Sequence, residues 1–331
     1  MKKFTKTYQE IMTVPNLLRA WEEFLSGKKK RRDVLIFQGQ LMNNILALFY
    51  SLKSKTYCHA GYQAFKISDP KPRDIHKATV RDRLLHHLLY QEMYDYFDRQ
   101  FINDSYSCRF NKGTHRAIYR LAEFAGRVSV NNRKTVWILK CDIRKFFASI
   151  DHKVLKNILA RYILDQDLLW LFGQVIDSFN TTDKIGVGLP LGNLTSQLLV
   201  NVYMNEFDQF VKRDLKVKYY IRYADDFVFL SPDKNYLINL RSQLDKFLND
   251  ELKLTMHPKK VFLTTLNSGV DFLGWVNFTD HRVLRTKTKR RMLVRITKSN
   301  KLATRAAYAA MLKHGNAYKL SQRAKLINKE Q

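Results

Sequence analysis

The chain has 331 residues, 45% hydrophobic and 13% aromatic, enough for a large core in two or three subdomains and too apolar for a disordered chain. Lys and Arg number 58 against 30 acids, a formal net charge of +28, which points to a polyanionic partner, most simply nucleic acid. No apolar run approaches the roughly 20 residues of a spanning helix and no signal-type segment follows the basic start, so no membrane partner and a cytoplasmic location are expected.

Residues 1–55 read as a basic helical extension, with helical spacing in Leu17-Leu18-Ala20-Trp21-Phe24-Leu25 and again in Leu41-Ile45-Leu48-Phe49. The run Lys28–Arg32 suits either a solvated face or phosphate contacts. Tyr57 to Ile67 reads as a strand or hairpin turning at Gly61, and Pro70-Lys71-Pro72-Arg73 breaks regular structure. A helix from Val80 buries Leu84, Leu85, Leu88 and Leu89 and leaves Arg81 and Arg83 near its start. Its adjacent His86 and His87 point about 100° apart, so they read as satisfied or surface histidines and not as a metal pair. Ser107 to Ala117 is a basic turn containing Arg109 and Gly113 that enters a helix over 117–125; such a turn can offer N–H groups and guanidinium to phosphates. Cys58, Cys108 and Cys141 lack metal-type spacing and read as reduced structural thiols.

A strand over 135–141 ends at Asp142, a usual place for a site carboxylate. Phe146-Phe147 follow, and Ser149 or Asp151 is expected to cap the next helix, so Asp151 reads as structural and Asp142 as free to be a ligand. Residues 186–197 hold three glycines and a proline and form a specified loop before a helix from about 198 to 215, whose small, polar entrance suits either the close passage of a base pair or template strand or an ordinary cap at Thr195 or Ser196. Then comes Tyr223-Ala224-Asp225-Asp226 between two apolar runs, which reads as strand, tight turn, strand. Two adjacent buried acids are costly without a compensating cation, and hard oxygen ligands suit Mg²⁺. Taken alone, the same four residues also read as an acidic surface turn. Further on, a helix opens at Ser231-Pro232-Asp233, a basic turn and strand span 254–261, and a short strand with a turn spans 270–276. From His281 to Gln331 there are fifteen Lys and Arg against one acid, Glu330, so half of the excess charge lies in this basic helical tail.

The order of these motifs resembles that of reverse transcriptases. Asp142 with Phe146-Phe147 resembles palm motif A, Gly192 to Gln197 motif B, Tyr223 to Asp226 motif C, His257 to Lys260 motif D, and Phe272-Leu273-Gly274-Trp275 the primer-grip turn. Arg81-Asp82-Arg83 and Arg109 to Arg116 resemble the fingers motifs of bacterial members. The resemblance implies an α+β right-hand polymerase. Its parts would be a basic helical extension (1–55), fingers (56–134), a palm with an antiparallel sheet (135–275) and a basic helical thumb (276–331). It implies that Asp142, Asp225 and Asp226 are catalytic and, with Ile143 among the metal-holding positions, bind two Mg²⁺ ions that Mn²⁺ can replace. Phe147 matches the position that blocks a ribose 2′-hydroxyl. Arg81, Arg109, Gly192, Gln197 and Lys259 fall at positions that contact dNTP or template, with the choice between Lys259 and Lys260 open.

Leu189-Pro190-Leu191-Gly192-Asn193-Leu194-Thr195-Ser196-Gln197, continuing through Asn201, Tyr203, Asn205-Glu206 and Asp208-Gln209-Phe210, looks like the reverse transcriptases of diversity-generating retroelements. Many bacterial relatives have Ser-Pro where this chain has Ser196-Gln197. That family copies a template-repeat RNA with errors at adenines and works with a small basic accessory protein, so an RNA template, an RNA/DNA duplex, dNTPs and such a partner are the implied ligands. A retron, group II intron-like or phage-defence enzyme is the alternative, and a non-catalytic RNA-binding scaffold a more distant one.

Overall fold

Caps, glycine turns and strand alternation set the order of elements in the structure, a computed structural model that describes residues 3–68, 72–181, 184–298 and 301–326, the last two by backbone alone. Helices α1 (Tyr8–Ile11), α2 (Val14–Phe24), α3 (Arg32–Gly39) and α4 (Leu41–Lys53) come first. Strands β1 (Gln63–Ile67) and β2 (Arg73–Lys77) precede α5 (Val80–Asp98), α6 (Thr114–Val128) and β3 (Trp137–Asp142). Then follow α7 (His152–Tyr162), α8 (Gln166–Asp177), α9 (Leu194–Gln209), β4 (Tyr220–Tyr223), β5 (Asp226–Ser231) and α10 (Lys234–Asp250). The chain closes with β6 (Phe262–Thr265), β7 (Val270–Phe272), β8 (Trp275–Asn277), β9 (Arg282–Leu284), α11 (Thr286–Lys298), α12 (Leu302–Leu312) and α13 (Tyr318–Leu326).

The chain forms two units. The first comprises Met1–Ile102, Ile143–Lys216 and Asp245–Thr255. Its core is helical: α5 packs on α2 and α9, and Leu84, Leu85, Leu88, Leu89, Trp21 and Phe24 are buried. Thr79 caps α5 by accepting from the Asp82 amide. The hairpin here is β1–β2, with Ile67 paired to Arg73, so the turn is not at Gly61 and Arg73 begins a strand. Pro70 and Lys71 lie outside the described residues. Asp151 caps α7 through the Val154 amide, as expected, whereas Ser149 bonds back to the Arg144 and Lys145 carbonyls. α9 starts four residues earlier than its spacing suggested. Asn193 stands at its N-cap without a side-chain cap bond, its Nδ2 donating to the His76 carbonyl; Thr195 and Ser196 are buried inside the first turn and do not stand at the N-cap.

The second unit comprises Asn103–Asp142, Val217–Leu244 and Met256–Gln331. Its antiparallel sheet runs β4-β5-β3-β6. Strand alternation divides its residues between two faces. One face carries Val136, Ile138, Ile221, Val228 and Leu230, which share a core with α6, Phe272, Trp275, Met292 and Ile296. The other carries Leu139, Cys141, Tyr220, Arg222, Phe227 and Phe229, all fully buried. α6 is longer than expected at both ends, since His115 and Arg116 fill an exposed first turn that hydrophobic spacing does not register. A second sheet, β7-β8-β9, replaces the one short strand expected near 270–276. Among the described residues the tail holds three helices, α11 to α13.

Candidate active site

The sheet register gathers the acids. Asp142 ends β3 and is the direct partner of Asp226, the first residue of β5. Tyr223 also pairs with Asp226, so Ala224 and Asp225 alone form the hairpin connection. Ala224 adopts φ +55°, the positive φ that two-residue hairpin turns demand and that glycine usually supplies. Arg222 supports that turn from beneath: fully buried, it donates to the Ala224 carbonyl (3.3 Å) and to Ser105 Oγ (3.1 Å). Thr114 Oγ1 at the start of α6 donates to the Tyr223 hydroxyl (3.3 Å).

Burial, and next the Asp142 carboxylate, push the Asp225 carboxyl up to about 6. Burial raises Asp226 as well, opposed by the Lys140 ammonium. Lys140 Nζ lies 3.2 Å from Asp226 Oδ1, an ion pair whose geometry is not that of a hydrogen bond, and Oδ1 has no other polar partner among the described residues. Lys260 Nζ donates to Asp142 Oδ1 at 2.8 Å. The turn carrying Lys260 is fixed to the same aspartate, because the His257 amide donates to the Asp142 carbonyl (2.7 Å) and the Lys260 amide to the His257 carbonyl (3.0 Å). Lys259 is exposed, its amide donating to His257 Nδ1, and of the two lysines it is Lys260 whose ammonium bonds to Asp142.

Asp225 and Asp226, whose protonated forms burial favours, make with Asp142 a set of oxygen donors suited to a hard divalent cation. Their side chains do not form a closed ligand set as they stand: among the described residues no group of three or more His, Cys, Asp or Glu is placed to hold a metal ion. Two lysine ammoniums take the neutralising positions instead.

The remaining expected residues divide between the units. Arg109 lies in the second, in the turn before α6, and donates to the Ser105 carbonyl (3.0 Å). Arg81, Ile143, Phe147, Gly192 and Gln197 lie in the first. Arg81 is engaged by Asp82 (3.1 Å) and by the Cys58 carbonyl (2.6 Å), and packs over the Tyr57 ring. Ile143 is buried, which leaves its main chain as its only means of holding a cation. Phe147 sits in a 3₁₀ turn over Phe146–Ser149, where its carbonyl accepts the Leu189 amide (2.8 Å). The glycine loop straps that turn down: the Gly188 amide donates to the Ile150 carbonyl, and the His152 imidazole donates to the Gly188 carbonyl at 2.7 Å. Gly192 has φ +106°, and a Cβ there would stand 2.8 Å from Ile75 Cγ2, so β2 and this loop approach each other as only glycine permits. Gln197 is half-buried in the first turn of α9, its carbonyl accepting from Asn201 Nδ2 (3.3 Å).

Two residues at the acids escaped the sequence reading. Lys140 looks like an ordinary outward lysine on a strand. Arg222 could have been found, as a lone arginine within the apolar run Tyr219 to Tyr223.

Comparison with known proteins agrees with this geometry. The family model described as "Reverse transcriptase (RNA-dependent DNA polymerase)" matches residues 67–276, a span that holds every site residue named above. Protein YkfC of Escherichia coli (strain K12) is 24% identical over 260 residues, covering 67% of this chain and 66% of that protein. The group II intron-encoded protein LtrA of Lactococcus lactis subsp. cremoris is 22% identical over 362 residues, covering 87% of this chain and 58% of that protein. The chain thus spans about three-fifths to two-thirds of the length of these two relatives. Telomerase from Candida albicans, solved with a fragment of telomeric RNA, superposes with a TM-score of 0.50 at 11% identity over 74% of this chain and 50% of that one, a likeness of fold alone. With this α+β right-hand polymerase fold and the family match over most of its length, the chain belongs to the reverse transcriptase (RNA-dependent DNA polymerase) family.

Proposed function

We propose that the protein is an RNA-directed DNA polymerase whose reaction centre is the cluster of Asp142, Asp225 and Asp226. The observation that carries this is the register of β3 and β5, which sets Asp142 opposite Asp226 and leaves Asp225 on the intervening turn. Asp142, Asp225 and Asp226, with the Ile143 main chain, are the residues that would hold divalent metal. Mg²⁺ bound there supplies Lewis acidity toward a primer 3′-hydroxyl and neutralises charge on a triphosphate. The chain's own residues then position and balance charge. Lys260 orients Asp142 through its hydrogen bond and holds a proton at Nζ within reach of the acids. Arg222 fixes the Ala224 carbonyl and so the direction of Asp225. Phe147, held by the glycine loop, is our choice for the residue that excludes a 2′-hydroxyl. We read 1–55 as an extension, 56–134 as fingers, 135–275 as palm and 276–331 as thumb, the last gripping duplex backbone through its positive charge.

Within the family, the reading we prefer is the diversity-generating type, copying a template-repeat RNA with errors at adenines beside a small basic accessory protein. Ser196-Gln197 and the residues that follow support it. Loss of discrimination at a templating base needs only a few kcal/mol, which one side chain at this loop can supply. The similarity to LtrA over 87% of the chain favours a second reading, a group II intron-like enzyme. Sequencing cDNA made on a defined RNA separates them: errors concentrated at template adenines support the first, and uniform fidelity supports the second.

A further inference from the structure

Lys140 is joined to two elements at once. It precedes Asp142 by two residues and shares its face of the sheet, and Asp142 is the direct partner of Asp226. Lys140 is therefore diagonal to Asp226, a separation that a long side chain bridges and a short one does not. Its Nζ lies 3.2 Å from Asp226 Oδ1 and donates to the Asp271 carbonyl at 2.8 Å. The lysine side chain is only 18% exposed and the aspartate 25%, so the pair is largely shielded from water.

We propose that Lys140 is a positioning residue for nucleotidyl transfer: its ammonium ties the Asp226 carboxylate to the main chain of the β7–β8 hairpin. This rests on the polymerase reading above. The hairpin is a firm anchor. The Asp271 carboxylate is held by Arg285 Nε (2.8 Å), and the Arg285 amide donates to the Gly274 carbonyl (3.1 Å) at the hairpin's own turn. Phe272 and Trp275 of the same hairpin are buried in the core beneath the sheet. Lys140 is thus the bridge between a carboxylate of the reaction centre and the Phe272–Trp275 turn, and it keeps the two in fixed relation. Asp226 Oδ1 has no hydrogen-bond partner among the described residues, so removing the ammonium leaves that oxygen unrestrained and uncompensated beside Asp142.

The test is steady-state primer extension on an RNA template by the full chain as wild type, Lys140→Met and Lys140→Arg, with thermal melting of each. Met keeps the length and removes the charge; Arg keeps both anchors within reach. Loss of such a supporting partner typically costs about 10–100-fold, so Lys140→Met is expected to lower kcat at least about tenfold with KM for dNTP within about twofold. Lys140→Arg is expected to stay within about threefold of wild type in kcat. A wild-type kcat in Lys140→Met, a change confined to KM, or an Arg variant that folds yet fails as badly as Met overturns the proposal. If Lys140→Met does not fold, Lys140→Gln takes its place under the same criteria. A wild-type protein that extends no primer defeats the polymerase reading itself, and this inference with it.

Discussion

Asp142 and Asp226 are direct partners across β3 and β5, so two carboxylates far apart in sequence stand side by side at one end of the sheet. Asp225 on the adjoining turn completes the group. Burial and the neighbouring carboxylates favour the protonated forms of Asp225 and Asp226. Lys140 and Lys260 each balance one acid. The predictions below follow from that balance and from the backbone that produces it.

Asp225→Asn removes a carboxyl whose raised pKa makes its ionised form a burden on the fold. With the folded value at about 6, above the ordinary carboxylate range, the native state holds a proton that the unfolded state releases. Stability from this group is therefore present at low pH and is lost as pH rises through about 6. At pH 7.5 Asp225→Asn should stabilise the metal-free protein by on the order of 1–2 kcal/mol, and in Mg²⁺ it should lower primer extension by on the order of 10³-fold. Melting and extension assays on one preparation check both signs. A destabilised variant contradicts the electrostatic account.

The same shift sets a pH profile. Below about 6 Asp225 carries a proton and is a poor ligand, so extension under limiting Mg²⁺ should rise with pH through that value and then level off. Raising Mg²⁺ should move the midpoint to lower pH, because cation and proton compete. A midpoint that ignores Mg²⁺ speaks against Asp225 as a ligand.

In the helical unit, burial holds His86 down to about 3 and His87 to about 4, both neutral in the fold. Their contribution is complete above the unfolded value of about 6.5 and is lost as pH falls from there toward 4 and 3, at up to roughly 1.4 kcal/mol per unit for each. His86→Gln, which keeps a polar group beside His59, should flatten the acid limb of the stability profile by about one proton. Denaturant titrations at pH 7 and pH 5 measure it.

Gly192→Ala places a methyl 2.8 Å from Ile75 Cγ2 at φ +106°. A cost of about 1–3 kcal/mol is expected, with lowered template-dependent activity because the glycine loop also holds the Phe147 turn. Ile75→Ala should recover part of the steric share, and a double-mutant cycle reads the coupling.

Phe147→Ala should admit ribonucleotides. We expect the ratio of rNTP to dNTP incorporation to rise about tenfold or more, from a contact worth about 1–3 kcal/mol. Single-nucleotide incorporation with each substrate checks it.

The central sheet was legible because its signal is short-range: short apolar runs on either side of Tyr223–Asp226 and an apolar strand ending at Asp142 mark strand, turn and strand without tertiary information. Element starts were less so. α6 begins with Thr114, His115 and Arg116, and α9 with a turn whose Thr195 and Ser196 are buried, so neither start follows the hydrophobic pattern. Asn193 resembles a helix cap but spends its amide on His76, a partner 117 residues away. The choice of Lys260 over Lys259 depends on a turn wrapped around Asp142, and the role of Lys140 on a diagonal across two strands. Such facts are set by register and packing, and composition holds no trace of them.

The most direct test of the account is extension of a DNA primer on a defined RNA by the purified chain with dNTPs and Mg²⁺, run beside Asp225→Asn. The account predicts template-directed cDNA from the wild type, no product from the variant, and retained RNA binding by both. Binding without synthesis by the wild type, even with a small basic accessory protein added, would contradict it and leave an RNA-binding scaffold.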